Sequence, residues 1–327
     1  MTETMEEAEL CFPQLLNSSC KKLEPTHSAF SLYILLSVIS LLTVALNLLV
    51  IISISHFRQL HTPTNLLLLS LAVSDFLVGL LVMPIETLLT ENCWILGDLM
   101  CSLYYLLPVI IISASVGNMV LISVDRYVAI CDPLHYSTKV TEKTVTICVL
   151  MCWICSVFYG IFLLYDNLKQ PGRYNSCVGE CVVNIAGAVD VVVTFIIPII
   201  VIIVLYMSVF LVAVSQARAI KSHIATVSLK RSKSVKVHKS ELKASRTLGV
   251  LLVVFLMCYS PYYCVSLTGH DILIGSSTEA FMIFLMYLNS CLNPVIYALF
   301  YPWFKKATRL IVTFQILQPG SREANIL

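Results

Sequence analysis

Residues 30–55 read FSLYILLSVISLLTVALNLLVIISIS, a run in which no side chain carries a charge. A helix that crosses a bilayer needs about 20 mostly apolar residues, and this stretch is long enough. It begins too far into the chain, and runs too long, for a cleaved signal peptide. Six further windows of the same character follow at 64–89, 100–125, 145–165, 187–214, 247–268 and 280–301. The pattern predicts an all-α membrane protein: a seven-transmembrane helix bundle over 30–301, preceded by an extracellular segment (1–29) and followed by a cytoplasmic amphipathic helix and tail (302–327).

Composition excludes the soluble alternatives. Of 327 residues, 58% are apolar and 12% charged, about half the ~25% charged fraction of soluble domains. A mean hydropathy of +0.88 leaves too little polar surface to cover a water-soluble core. The net charge of +2 supports no nucleic-acid-binding face. No nucleophile and base fall at one depth, so the chain does not read as an enzyme.

The position of the charges sets the expected orientation, because basic residues of short loops stay cytoplasmic. Of 21 basic residues, Lys21, Lys22, Lys169 and Arg173 fall on the amino-terminal side, and the rest fall on the other, nine of them between Arg218 and Arg246. The amino terminus is therefore expected outside, with the chain multi-pass in the plasma membrane. Glu3, Glu6, Glu7, Glu9, Glu24, Glu91, Asp98, Asp166, Glu180, Asp271 and Glu279 gather on the outer side. They form either a mouth that favours cations or a plain solvated rim. After the last span, Phe304, Ala307, Leu310 and Ile311 share one helical face and Lys305, Lys306 and Arg309 another, which suits a short interfacial helix on membrane lipid.

The cysteines separate by depth. Cys148, Cys152, Cys155, Cys258, Cys264 and Cys291 lie within spans and Cys131 on the cytoplasmic side, leaving Cys11, Cys20, Cys93, Cys101, Cys177 and Cys181 on the oxidising side. An even number permits three bridges. Spacing does not fix the connectivity, although a Cys101–Cys181 bridge, tying the top of span three to the second outer loop, is the favoured pair. Asn17-Ser18-Ser19 is a glycosylation sequon in the outer segment.

Ionisable residues inside spans are costly, and each is a functional candidate. Asp75 lies midway through span two, with Asn47, Ser115, Asn289, Ser290 and Asn293 at similar depth. This set either holds a small cation such as sodium or is satisfied by a water network. Asp125-Arg126-Tyr127 closes span three, where Arg126 can pair with Asp125 and with Glu241 at the start of span six, a breakable contact suited to a switch. Asp190 stands near the outer end of span five with no basic residue in the outer half of any span to neutralise it. It either takes up a proton, bonded to a neighbour such as Thr194, or receives a cation from outside. Glu86, at the outer end of span two, is a second acceptor. Tyr104, Tyr105, Tyr259, Tyr262, Tyr263 and Tyr287 either wall an amine pocket or serve in ordinary interhelical packing.

Taken together, Asn47, Leu71-Ala72-Val73-Ser74-Asp75, Trp94, Cys101, Asp125-Arg126-Tyr127, Trp153, Pro198 with Tyr206, Phe255 with Cys258-Tyr259-Ser260-Pro261, and Asn293-Pro294-Val295-Ile296-Tyr297 resemble a rhodopsin-like (class A) G protein-coupled receptor over nearly the whole chain. HFRQLHTPTN at 56–65 and NSCLNPVIYALFYPWFKK at 289–306 are similar to the trace amine-associated receptors, which are mostly olfactory. The resemblance implies Cys20–Cys177 and Cys11–Cys93 bridges. It also implies a switch through Asp125, Arg126, Tyr127, Tyr206, Glu241, Phe255, Pro261, Asn293, Pro294 and Tyr297, an allosteric sodium site, and a heterotrimeric G protein partner of the stimulatory, cAMP-raising kind. Arrestin and a receptor kinase belong to the same expectation.

Two positions depart from the family pattern. Aminergic receptors carry an Asp 18 residues before the Arg of Asp-Arg-Tyr; here that position is Pro108. A branch of the trace amine-associated receptors similarly carries an acid in span five, so the resemblance implies an ammonium bound at Asp190. Tyr259 stands where the family usually has Trp. The competing expectations are a receptor for a non-amine small molecule with Asp190 neutral, and a transporter, against which the absence of inverted repeats argues.

Overall fold

The computed structural model describes residues 10–15, 17–21, 27–89, 93–224, 232–267 and 277–326, with backbone alone for 27–33, 87–89, 213, 216–224, 232–248, 266 and 277–280. Helix α1 is His27–His56. Helix α2 runs through Pro63–Leu77, a π-helical turn over Val78–Val82, and Met83–Leu89. Helix α3 is Asp98–Cys131 and α4 is Glu142–Leu163. Helix α5 joins Gly187–Asp190, a π-helical turn over Val191–Ile196, and Ile197–Ile224. Helices α6 (Ser232–Leu267), α7 (Ser277–Phe300) and α8 (Pro302–Val312) complete the bundle. Among the described residues, six helices are long and apolar enough to cross a membrane, and α6 contributes the apolar stretch Gly249–Val265.

Local signals explain where the helices start. Thr62 accepts a hydrogen bond from Asn65 N ahead of Pro63, and Thr141 accepts one from Thr144 N ahead of Glu142. A hydroxyl N-cap followed by proline or an acidic residue satisfies and complements the free amides of a first turn. Pro302 performs the same service for α8, whose Trp303, Phe304 and Ala307 are buried while Lys305, Lys306 and Arg309 are exposed.

Within the spans the outward faces carry bare hydrocarbon: Leu41, Phe158, Phe162, Phe210 and Leu211 are all exposed. Such surfaces suit lipid. Helix association in lipid depends on close backbone approach and on interhelical hydrogen bonds, and both recur here. Ser40 Oγ donates to Gly79 O at 2.7 Å, Asn47 Nδ2 to Ser290 O at 3.0 Å, and Trp153 Nε1 to Ser70 Oγ at 3.1 Å, tying α1 to α2, α1 to α7 and α4 to α2. Gly79 lets α1 close on α2, since a Cβ there would sit 3.0 Å from Thr43 Cβ and 3.1 Å from Val44 Cγ2.

Gly79→Val will therefore overpack the α1–α2 contact, at a cost of about 1–3 kcal/mol, and lower the apparent melting temperature of the purified chain in detergent by several degrees. Gly249→Ala, whose new Cβ meets Tyr206 Cε1 at an ordinary 3.8 Å, will leave the melt unchanged.

Candidate functional site

Three disulfides gather at one end of the bundle: Cys11–Cys93, Cys20–Cys177 and Cys101–Cys181. They fasten two segments over the helix ends. Cys20 N donates to Val178 O at 3.0 Å and Val178 N to Ser18 O at 2.7 Å, so the amino-terminal segment runs beside the α4–α5 connection. Trp94 N donates to Gly179 O at 2.9 Å. Asn167 binds Asn184 through Nδ2–O (2.7 Å) and N–Oδ1 (3.0 Å) contacts, and Asn175 Nδ2 reaches Asp98 Oδ1 at 2.9 Å. Asn17 is exposed in the turn between Cys11 and Cys20.

Beneath this cap stand two carboxylates, each held by aromatic hydroxyls. Tyr159 OH donates to Asp190 Oδ1 at 2.8 Å, and Thr194 Oγ1 lies 3.3 Å from the same oxygen and 2.6 Å from the Asp190 carbonyl. Thr194 also meets Tyr263 OH at 3.0 Å, and Tyr263 stacks on Phe195 with centroids 4.4 Å apart. Asp190 Oδ2 takes no hydrogen bond, and no basic side chain pairs with this half-buried carboxylate, among the described residues. The π-helical turn starts at the next residue, Val191. A π turn inserts a residue into the helical repeat and re-aims the side chains before it, which brings Asp190 towards α4 and Thr194 towards α6. Across the bundle, Glu86 Oε2 accepts from Tyr104 OH at 2.7 Å and Tyr287 OH at 3.0 Å. Tyr104 packs against Tyr105 and Trp94. Tyr262 meets Tyr263 edge-on, and Tyr259 stacks on Phe255 at 4.5 Å.

Pro108 lies inside α3. It has no amide hydrogen to donate one turn back, so α3 continues past it with the Tyr104 carbonyl lacking its usual helical donor.

Deeper in the bundle, Asn293 Nδ2 donates to Asp75 Oδ2 at 2.7 Å. Asp75 Oδ1, Asn47 Oδ1, Ser115 Oγ, Asn289 Oδ1 and Asn293 Oδ1 are buried without a hydrogen-bond partner among the described residues, and Ser290 is buried beside them in sequence. Leaving a buried polar group unsatisfied costs about 1–3 kcal/mol. A set of neutral oxygens around one carboxylate is the donor chemistry that suits a hard cation, so these residues fit a sodium ion.

At the opposite end, Arg126 Nε donates to Asp125 Oδ2 at 2.9 Å and Nη2 bonds the same oxygen; Nη2 also reaches Thr64 Oγ1 at 2.6 Å. Thr64 Oγ1 donates to Asp125 Oδ2 at 3.0 Å and Tyr136 OH to Asp125 Oδ1 at 2.8 Å. The ion pair is thus buried and hydrogen-bonded on several sides, with side-chain exposures of 8% and 2%. The expected Glu241 contact lies outside the described residues, because only the backbone of α6 is described there. Tyr206 lies over Gly249. Tyr297 is fully buried, its ring 6.1 Å from that of Tyr301, while Tyr127 is exposed. Pro261 and Pro294 sit within α6 and α7.

Sequence reasoning did not single out Tyr159, Thr64 or Tyr136 for these roles. A hydroxyl on the apolar α4 was the available signal for Tyr159. Thr64 and Tyr136 gain their roles only when α2 and the α3–α4 turn are brought beside Asp125.

A seven-helix membrane bundle with a capped polar interior and a buried Arg–Asp pair at its other end is a receptor architecture, and residues 46–297 match the 7 transmembrane receptor (rhodopsin family) pattern. The chain belongs to that family of G protein-coupled receptors and, within it, to the trace amine-associated receptors. It is 35% identical to trace amine-associated receptor 4 of Mus musculus, over 98% of this chain and 96% of the relative. It is 40% identical to trace amine-associated receptor 6 of Homo sapiens over 97% and 95%, and 38% identical to receptor 7e of Mus musculus over 98% and 92%. These are receptors, not enzymes, and their class takes a small-molecule ligand and a G protein.

Beyond the helical end of α3, Asp132 accepts from Lys139 Nζ at 2.9 Å and contacts His135 Nδ1 at 2.7 Å. Those two bonds hold the Asp132 carboxyl below its usual pKa. Its contribution to the order of this turn is therefore complete above the ordinary carboxylate value of about 3.9 and is lost as pH falls through the lower folded value. In Lys139→Ala the titration midpoint of Asp132, followed by carboxyl NMR, will rise towards the ordinary value.

Proposed function

We propose that this chain is a plasma-membrane receptor for amines in which the ligand ammonium binds Asp190. The observation that carries the reading is the state of that carboxylate. One oxygen is held by Tyr159 and Thr194, the other takes no bond from a described residue, and no cation among the described residues neutralises it. The hydroxyls orient the group; a ligand ammonium supplies the missing charge through a charge-assisted hydrogen bond. Tyr263, Tyr262, Tyr259, Phe195, Tyr105 and Tyr104 offer ring faces to the rest of the ligand. Pro108 offers none of the anchoring of a span-three acid, which favours α5 as the side where the ammonium binds. The relatives' names point to the same ligand class.

In this reading the disulfide end faces outside and the Arg126 end the cytosol, as the distribution of Lys and Arg favours. Asn17 carries a glycan. Ligand binding shifts α6 about Pro261, past Phe255 and Tyr259, and α7 about Pro294. The Arg126 end then opens to a stimulatory G protein that raises cAMP, and to arrestin and a receptor kinase afterwards. Asp75, Ser115, Asn289, Ser290 and Asn293 would hold a sodium ion whose charge balances the buried carboxylate. An olfactory role follows the family resemblance.

A charge-assisted hydrogen bond is worth about 1.5–3 kcal/mol net, so Asp190→Asn will abolish or weaken amine responses at least tenfold in a cAMP assay while surface labelling stays at the parent level. Tyr159→Phe will cost several-fold in potency with the maximal response retained. Amine potency preserved in Asp190→Asn would refute the reading and favour a non-amine ligand.

Glu86 supports a second anchor. Tyr104 and Tyr287 donate to its carboxylate, so a ligand with two ammonium groups meets an acid at each side of the tyrosine-lined interior. Along a series of matched monoamines and diamines, Glu86→Gln will reduce the potency of diamines selectively; equal losses for both would reject the second anchor.

A further inference from the structure

The segment after α8 is folded, not trailing. Phe314 and Gly320, at φ of 57° and 82°, each open a short 3-10 turn, over Gln315–Leu317 and Ser321–Glu323. These turns return the chain to the link between α1 and α2. His56 Nε2 lies 3.0 Å from Ser321 Oγ, Arg58 Nη1 lies 3.4 Å from Glu323 Oε1, and the Ile326 amide donates to Gln59 Oε1 at 3.1 Å. The Ile326 side chain is fully buried in the cluster that contains Phe57, Leu60, Phe304 and Ala307.

Ser321 is the polar centre of this contact. Its hydroxyl donates to Ile316 O at 2.7 Å. With its one proton committed there, it accepts from His56. Arg322 follows Ser321 directly, and Arg58 engages the Glu323 carboxylate one residue further on. A hydroxyl that His56 contacts, with Arg322 and the Arg58-bound Glu323 next along the chain, is a place for an anion.

We propose that Ser321 is a phosphorylation site and that phosphate there locks residues 313–326 onto the α1–α2 link. The inference rests on the orientation given above, which puts this segment in the cytosol with ATP. Ser321 Oγ attacks the γ-phosphorus of ATP. An O–P bond forms as the bond to the β,γ-bridging oxygen breaks, ADP leaves with the electron pair, and the hydroxyl proton passes to the kinase base. The ester can no longer donate to Ile316 O, but it brings a charge of about −1.5 to −2 and three acceptor oxygens. His56 Nε2–H and the Arg58 guanidinium supply the donors. Bonds to an ionised phosphate are roughly twice as strong as the neutral one lost, so the exchange favours the docked segment. Before modification, the Arg58–Glu323 pair, with side chains 69% and 75% exposed, holds the segment weakly and lets a kinase reach the serine.

The test installs phosphoserine at position 321 of the full chain by stop-codon suppression and follows hydrogen exchange of the 313–326 amides in detergent. Exchange at Ile326 is expected to slow about tenfold relative to the serine chain, and Arg58→Gln in the phosphoserine chain is expected to erase the slowing. Unchanged or faster exchange would overturn the lock. In expressing cells treated with phosphatase inhibitors, mass spectrometry is expected to find phosphate on Ser321; recovery of the unmodified peptide alone would overturn the modification. Labelling of this segment by a membrane-impermeant reagent in intact cells would instead refute the orientation, an outcome separate from the lock measured on the purified chain.

Discussion

Hydrocarbon offers no hydrogen bonds, and every polar group that these helices carry inward must be satisfied by another part of the bundle or by something the bundle binds. The arrangement of the interior follows from that constraint. Asn47, Ser40 and Trp153 spend their donors on neighbouring helices and thereby set which helices touch. Asp125 is enclosed by Arg126, Thr64 and Tyr136, so a charge that lipid would reject becomes the joint of three elements.

Asp190 meets the same constraint differently. Its hydroxyl partners satisfy one oxygen and provide no counter-charge. Asp190 has directional support and, among the described residues, no cation beside it, whereas Asp125 is paired within the protein by Arg126, Thr64 and Tyr136. The two acids are chemically identical; their environments differ. Glu86 accepts from Tyr104 and Tyr287, a contact that joins α2, α3 and α7.

The disulfides brace the segments that cover the Asp190 end of the bundle. Cys20–Cys177 and Cys11–Cys93 fasten the amino-terminal segment to the α4–α5 connection and to the approach to α3, and Cys101–Cys181 fastens that connection to α3 itself. At the other end, the return of Ile326 to Phe57 and Leu60 ties α8 and the segment beyond it to the first turn of the bundle.

Much of this was legible without coordinates. Seven apolar windows, the depth of each charge, the sorting of cysteines and the pattern of Asn47, Asp75, Arg126 and Asn293 all follow from one-dimensional spacing, because a membrane converts position along the chain into depth. Depth made Asp190 one candidate among several, and Pro108, standing where aminergic receptors carry an acid, set it above the others. Depth does not say which face of a helix looks inward. The π turns in α2 and α5 shift that phase, and only the packed bundle could bring Tyr159 to Asp190, Thr64 and Tyr136 to Asp125, or Ser321 to His56. These are contacts between residues far apart in sequence, set by helix rotation and close packing, and no periodicity within a single span records them.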